Sequence, residues 1–157
     1  MIVEKLALGR IKLGITAATQ EEALKTVGQM LIDSGLCKES YLEALVKREK
    51  EFPTGLDMGG FGVAIPHTDV THVNSSGLAM AVLDKPVTFT LMGMDDEFVE
   101  VKLICAMAID NPNQHLDMVE ALLHLLRDKS FLNDLAEARS PEDFLSIIRA
   151  KENSNAN

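Results

Sequence analysis

The sequence predicts an α/β fold, in which a single domain has a mixed β-sheet sandwiched between helices. Segments with the periodicity of helices lie on both sides of a central block of short apolar runs that suit strands. The 157 residues, 46% hydrophobic and 25% charged, are enough for one globular domain with a sizeable core. We expect this domain to span residues 1–150 and the polar residues 151–157 to be a disordered tail.

The first predicted elements are an edge strand and a helix. Residues 5–15 alternate between apolar and polar types, which is typical of a short strand or hairpin at a sheet edge. Residues 19–35 then follow the helical period. Thr19 and Glu22 have the spacing of a capping box, and Gly35 suits the C-terminal stop, so both ends of this helix are marked.

A second helix is predicted over residues 39–52, and its end carries Arg48 and Glu49. The next eight residues, 53–60, contain one proline and three glycines and are predicted to form a loop. This loop separates the first two helices from the apolar block.

The apolar block consists of four runs that are predicted to be strands, at 62–65, 77–83, 87–91 and 99–109. The last run is apolar enough to be a central strand that is covered on both faces. Residues 84–86 and 96–98 have the character of hairpin connections. Helical patterns return in the last part of the chain, at 111–128, 130–138 and 140–152.

Charge and composition exclude several classes of partner. The net charge of -9 argues against broad binding to nucleic acids or anionic membranes, because both need a positive field. The N-terminal residues lack a continuous apolar segment, whereas a spanning helix needs about 20 consecutive apolar residues. We therefore expect a cytoplasmic protein without nucleic-acid partners or membrane insertion. Cys37 and Cys105 lie within apolar patterns and are predicted to be buried free thiols.

His67 is the first candidate for a functional residue, because it directly follows a predicted strand and Pro66. Ligands and catalytic groups in open α/β sheets gather beyond the carboxyl ends of strands. His115 is the second candidate, since it lies on the apolar stripe of the predicted helix 111–128 and in its first turn, where free N–H groups favour anions. Position alone is also consistent with His67 as an ordinary loop residue and with His115 as a core residue.

Other histidine chemistries have weaker support. His72 lies in a polar loop and His124 lies opposite His115 on the same predicted helix, so both are expected to be solvent-exposed. A metal hydrolase that uses His67, Asp69 and His72 is a competing hypothesis, but these residues lack the i, i+4 spacing of a zinc-binding helix. The chain contains no GxSxG, Walker A or GxGxxG motif, so neither a serine hydrolase nor a nucleotide cofactor is expected.

The remaining chemistry for His67 is nucleophilic. An imidazole with a pKa near neutrality has a free lone pair, and it can accept a phosphoryl group and pass it on. Such a site needs a held ring and donors for the phosphoryl oxygens. Pro66 is placed to stiffen the loop, while Arg48 and the start of the His115 helix are candidate donors.

Residues 48–67, REKEFPTGL followed by GFGVAIPH, resemble the active-site signature of the fructose/mannitol-type (type-2) enzyme IIA domains of the bacterial phosphoenolpyruvate-dependent sugar phosphotransferase system, or PTS. Residues 106–126, AMAIDNPNQHLDMVEALLHLL, are similar to the family's strand followed by a helix with a second histidine. The resemblance extends from about residue 5 to residue 150 and implies the family's mixed sheet between helices. The segments REKEFPTG and HTDVTHVNSS look most like those of galactitol-specific members.

The resemblance implies a role for each site residue. His67 is implied to be the phosphoryl acceptor, through its Nε2 atom. His115 is implied to hydrogen-bond the phosphoryl group or steady the ring, and Arg48 to balance the phosphate charge. Thr54 matches a loop threonine of the family's binding site, without a firm chemical role. No metal site or cofactor is implied.

The resemblance also implies partners and a function. The phosphoryl donor would be the phosphohistidine of the phosphocarrier protein HPr, and the acceptor a cysteine of a cognate enzyme IIB that serves the membrane enzyme IIC. The expected function is that of a phosphotransferase component in the uptake of galactitol or a related sugar or sugar alcohol. The alternative is a regulatory IIA module of the nitrogen-related type, which acts by phosphorylation-dependent protein binding.

Overall fold

The computed structural model describes residues 2–155, which form five strands and five α-helices. The strands are β1 (Ile11–Ile15), β2 (Gly55–Asp57), β3 (Gly62–Ala64), β4 (Gly77–Thr90) and β5 (Phe98–Ala108). The helices are α1 (Gln20–Asp33), α2 (Tyr41–Glu51), α3 (His115–Leu126), α4 (Lys129–Ala136) and α5 (Pro141–Asn155).

The strands form one mixed sheet in the order β1-β4-β5-β3-β2. The pairs β1–β4 and β3–β5 are parallel, whereas β4–β5 and β2–β3 are antiparallel. β1 lies at one edge, as predicted, although short 3-10 turns precede it in place of a hairpin. The most apolar predicted strand, β5, lies in the centre of the sheet, which confirms its predicted position.

Helices cover both faces of the sheet. Cys105 and Met107 of β5 pack into the cluster formed with α3, α4 and α5, whereas Ile104 and Ala106 pack into the cluster formed with α1 and α2. Successive strand residues point to opposite faces, so a strand covered twice is apolar throughout. The predicted sandwich of a mixed sheet between helices is confirmed. Within the described residues, no helix is both long enough and apolar enough to cross a membrane.

Helix α1 begins and ends at the residues that mark its predicted ends. The Thr19 hydroxyl accepts the Glu22 N–H at 3.2 Å, and the Glu22 carboxylate accepts the Ala18 N–H at 2.8 Å. Beyond the helix, Gly35 adopts a φ of 81°, the left-handed conformation that ends many helices. Local sequence therefore determines the extent of this element.

The two cysteines are buried and free, as predicted. Cys105 lies in β5 and Cys37 in the segment between α1 and α2. Burial raises the pKa of each thiol to about 12. Because the thiolate is the nucleophilic form, neither cysteine competes with the histidines for nucleophilic chemistry at neutral pH.

The predicted hairpin connection at 84–86 is wrong, because β4 continues through it and joins two predicted strands into one. The pairing of β4 with β5 shifts register between Val82 and Val87, so Pro86 lies where the ladder is interrupted. Proline has no N–H to donate, and an irregularity in the pairing accommodates it. The proline indicated a turn but marks an irregularity in the strand pairing.

The predicted loop at 53–60 contains a strand, β2, which pairs with β3. Gly55 belongs to this strand: a Cβ atom there would lie 2.6 Å from the carbonyl oxygen of Thr90. Glycine at this position permits the close approach of two backbone segments. Of the three glycines in this predicted loop, only Gly59 and Gly60 have positive φ angles, 86° and 90°, which favour glycine in a turn.

The predicted disordered tail is wrong for residues 151–155, which form the end of α5. Glu152 is buried there, and its carboxylate accepts the backbone N–H of Ile2 at 2.9 Å and that of Val3 at 2.7 Å. These bonds attach the end of the helix to the N-terminal segment. The last two residues of the predicted tail, 156–157, lie outside the described residues.

Candidate active site

His67 lies just beyond the end of β3, in a segment that β5 holds in place. The Pro66 carbonyl accepts the N–H of Met107 in β5 at 2.9 Å. The Met107 carbonyl in turn accepts the hydroxyl of Tyr41 in α2 at 2.8 Å. Since proline also restricts its own φ angle, the backbone that leads into His67 has little freedom.

The His67 ring is half-buried, and its two nitrogens have different surroundings. Nδ1 lies 3.3 Å from the carbonyl oxygen of Ile65. A carbonyl oxygen only accepts hydrogen bonds, so this contact requires the proton on Nδ1 and leaves the lone pair on Nε2. Nε2 is therefore the nitrogen available for attack.

His115 is the first residue of α3 and follows a 3-10 turn at Pro112–Gln114. The Asn111 side chain caps this turn by accepting the Asn113 N–H at 2.9 Å. The His115 ring meets the His67 ring edge to face, with the centroids 4.3 Å apart and the planes at 84°. The structure thus brings together two histidines that come from opposite ends of the apolar block.

Arg48, in the last turn of α2, lines the same cleft as the two histidines. The cleft has a volume of about 260 Å³, and Asp69 and Pro112 form part of its wall. The guanidinium carbon of Arg48 lies 4.0 Å from the centroid of the Phe52 ring, a cation–π contact on an exposed surface. A cationic side chain therefore lines the same cleft as the His67 ring.

Burial lowers the pKa of His67 below its ordinary value of 6.5, because the charged ring is poorly solvated. The contact with the Ile65 carbonyl opposes this shift. The charges of His115 and Arg48 add to it, since like charges disfavour the imidazolium. At pH 7 the ring is thus predominantly neutral and keeps its Nε2 lone pair.

Thr54 lies behind the cleft and does not line it. Its side chain is buried, and its hydroxyl donates to the Glu49 carboxylate at 2.7 Å. The same hydroxyl oxygen accepts the Ile65 N–H at 3.2 Å. Thr54 is therefore placed next to the backbone that precedes His67, and its assignment to the binding site stays a prediction.

Glu49 is the residue near the site that sequence reasoning missed. Its side chain is 2% exposed, and its carboxylate also accepts the Thr54 N–H at 2.6 Å. Burial raises the pKa of Glu49 to about 7, and the two bonds from Thr54 oppose that shift. The helical spacing does indicate that Glu49 is buried. It lies four residues after Leu45 and eight after Tyr41, on the same face of α2, and all three are buried.

The other two histidines lie away from the cleft. His124 is exposed on α3, as predicted. His72 is intermediate in exposure, and its Nδ1 lies 2.8 Å from the Ser40 hydroxyl oxygen in a solvent-exposed contact. Within the described residues, no three or more His, Cys, Asp or Glu side chains are grouped to hold a metal ion, and His67, Asp69 and His72 form no such group.

Comparisons with known proteins agree on one family. Its sequence model, described as "Phosphoenolpyruvate-dependent sugar phosphotransferase system, EIIA 2", matches residues 5–151. The PTS system galactitol-specific EIIA component of Escherichia coli K12 is 30% identical over 125 residues, which cover 80% of this chain and 83% of that protein.

Two solved structures share the fold. One is the complex of enzyme IIAMTL and phosphorylated enzyme IIBMTL from Escherichia coli, with a TM-score of 0.78, 29% identity, and coverage of 93% of this chain and 98% of the other. The second is the nitrogen regulatory protein IIA-Ntr from Neisseria meningitidis, with a TM-score of 0.74, 26% identity, and coverage of 93% and 97%. The likeness therefore extends over nearly the whole chain in both cases.

Proposed function

Since this chain belongs to the type-2 EIIA family of the phosphoenolpyruvate-dependent sugar phosphotransferase system, we propose that it carries a phosphoryl group on Nε2 of His67. The observation that supports this most directly is the state of the ring. Nδ1 is engaged with the Ile65 carbonyl, while Nε2 is left with its lone pair in a ring that lines the cleft.

The transfer onto His67 needs no external acid or base. As the neutral ring attacks, the bond between Nε2 and phosphorus forms while the donor's nitrogen–phosphorus bond breaks. The donor leaves as a neutral imidazole, and the positive charge passes to the His67 ring, whose Nδ1 keeps its proton. The carbonyl of Ile65 faces that proton and stabilises the developing charge.

Arg48 and His115 are the proposed partners of the phosphoryl oxygens. Both line the cleft that contains His67, and the guanidinium brings a permanent positive charge. His115 is the first residue of α3, where backbone N–H groups also favour an anion. Together they oppose the negative charge that arrives with the phosphoryl group.

The phosphoryl donor in this proposal is the phosphohistidine of HPr, and the acceptor is a cysteine thiolate of an enzyme IIB. In the second transfer a sulfur–phosphorus bond forms as the Nε2–phosphorus bond breaks, which returns His67 to its neutral state. Support for a IIB partner comes from the similar structure of IIAMTL with phosphorylated IIBMTL. The protein would act in the cytoplasm and serve a membrane enzyme IIC.

The proposed substrate of the whole system is galactitol or a related sugar or sugar alcohol. The galactitol-specific relative supports this choice, as does the galactitol-like character of REKEFPTG and HTDVTHVNSS. A regulatory role is the second candidate, because IIA-Ntr has a similar structure. Genes for IIB and IIC next to the gene of this protein would favour transport, and their absence would favour regulation.

Phosphorylation from phosphoenolpyruvate tests the assignment. The protein is incubated with phosphoenolpyruvate, enzyme I and HPr, and we expect one acid-labile phosphate per chain. His67→Ala should abolish its uptake, whereas His72→Ala, outside the cleft, should accept phosphate as the wild type does. If His67→Ala still acquired the acid-labile phosphate, the assignment of the acceptor would be wrong.

A further inference from the structure

A continuous chain of hydrogen bonds connects a buried carboxylate on α2 to the ring of His67. The Thr54 hydroxyl donates to Glu49 Oε1 at 2.7 Å and accepts the Ile65 N–H at 3.2 Å. The Ile65 carbonyl then accepts the proton of His67 Nδ1 across 3.3 Å. Every link of this chain except the last lies in the buried interior.

From this chain we infer that Glu49 and Thr54 are positioning residues for His67, which hold the Ile65 carbonyl against Nδ1 and keep the lone pair on Nε2. The inference rests on the proposed function, in which Nε2 is the phosphoryl acceptor. Neither side chain lines the cleft, so both act through Ile65 and not by contact with a phosphoryl group.

The position of Ile65 explains how these hydrogen bonds affect the His67 ring. Ile65 follows the last residue of β3, and the next residue, Pro66, has no N–H to hydrogen-bond. The N–H of Ile65 is held by Thr54, and the direction of its carbonyl determines which nitrogen of His67 carries the proton. A shift of Ile65 would therefore change both the orientation and the tautomer of the ring.

Among the described residues, the Glu49 carboxylate forms its hydrogen bonds with Thr54. Its two carboxylate oxygens accept the N–H and the O–H of Thr54. A buried carboxylate is a poor choice for stability alone, because a well-packed apolar residue often does as well at such a position. What the carboxylate adds is a fixed direction for the Thr54 hydroxyl, which leaves an oxygen lone pair for the Ile65 N–H.

Nitrogen-15 NMR of the full, unphosphorylated chain tests this inference directly, because nitrogen shifts distinguish the two tautomers of neutral His67. We expect the Nδ1–H tautomer to predominate in the wild type. Thr54→Val keeps the shape and removes the hydroxyl, and it should raise the proportion of the Nε2–H tautomer severalfold. Thr54→Ser retains the hydroxyl and should restore the wild-type proportion.

Kinetics provide the second readout. Thr54→Val and Glu49→Gln should slow phosphorylation of His67 at saturating phospho-HPr by about 10- to 100-fold, the range expected when a reacting group is misplaced, with KM little changed. Glu43→Gln, on an exposed position of the same helix, is the matched control and should match the wild type.

Each outcome decides the inference. It is overturned if Thr54→Val and Glu49→Gln both keep the wild-type tautomer ratio, or if Thr54→Ser disturbs that ratio as much as Thr54→Val. Should Thr54→Val fail to fold, the ratio in Glu49→Gln decides alone. The tautomer is measured without any phosphoryl transfer, so a wild-type protein that accepts no phosphate would contradict the proposed function and not this positioning role.

Discussion

The imidazole rings of His67 and His115 meet edge to face with their centroids 4.3 Å apart, although 47 residues separate them in the chain. One ring follows β3 and the other begins α3, on the side of the sheet where β3 and β5 end. At this distance two positive rings would repel each other, so the pair favours a state in which His67 is neutral.

Replacing His115 should change both the titration of His67 and its reaction. Without the neighbouring charge, we expect the pKa of His67 to move towards its ordinary value in His115→Ala. Phosphorylation should slow on the order of 100-fold, as when one stabilising donor is removed from a reaction site. NMR titration and single-turnover kinetics check the two effects, and His124→Ala on the exposed face of α3 is the control. An unchanged rate would remove His115 from the proposed site.

Arg48 should matter through the geometry of its guanidinium as well as through its charge. We expect Arg48→Ala to lower the rate of phosphorylation on the order of 100-fold. Arg48→Lys should recover only part of this, because an ammonium does not form the same planar pair of contacts. Lys47→Ala removes a positive charge from the adjacent exposed position and is the matched control. Equal losses in the Arg48 and Lys47 variants would indicate a general charge effect.

The rate of acceptance by His67 should depend on pH in one direction. The attacking nitrogen must be unprotonated, so the rate falls as pH drops through the pKa of His67. Because burial lowers that pKa below 6.5, the pH at which the rate falls to half its maximum should lie below 6.5. Rapid-quench measurements with a phosphorylated donor across pH 5–8 would show this, and a rate that stays constant down to pH 5 would contradict it.

Glu49 should make the stability of the fold depend on pH. Its pKa is raised from 4.5 to about 7 in the folded state, so the folded chain binds the proton more tightly than the unfolded chain. The resulting stabilisation is complete below pH 4.5 and is lost as pH rises to 7, by up to about 3 kcal/mol. Urea denaturation of wild type and Glu49→Gln at several pH values measures it. Identical pH profiles for the two proteins would exclude the effect.

Gly62 should be required where β3 passes β5. A Cβ atom at this position would lie 2.0 Å from the carbonyl oxygen of Glu100, a backbone atom that cannot move away easily. We expect Gly62→Ala to lower the free energy of unfolding by roughly 1–3 kcal/mol, the usual effect of overpacking. Gly9→Ala is the control, since a Cβ there would meet no atom within 4 Å. Equal stabilities for the two variants would show that β3 adapts.

Much of the fold was predictable because periodicity reports which faces of an element are buried. The capping pair Thr19 and Glu22, the apolar run of β5 and the position of His67 at a strand exit are all local features. The prediction failed where one residue type serves two purposes. Pro86 indicated a turn but lies where the pairing of β4 with β5 shifts register, and Gly55 indicated a loop but permits close strand packing.

The sequence by itself determined the helices, most of the strands, and His67 and His115 as the residues to consider. Only the tertiary structure placed those two rings in contact and set Nδ1 of His67 against the Ile65 carbonyl. It also buried Glu49 against Thr54, a pairing that no local pattern specifies. The physical reason is that contacts between separate elements, such as the His67–His115 ring contact and the bond from the Ile65 N–H to Thr54, depend on how strands and helices pack, whereas periodicity depends only on neighbours along the chain.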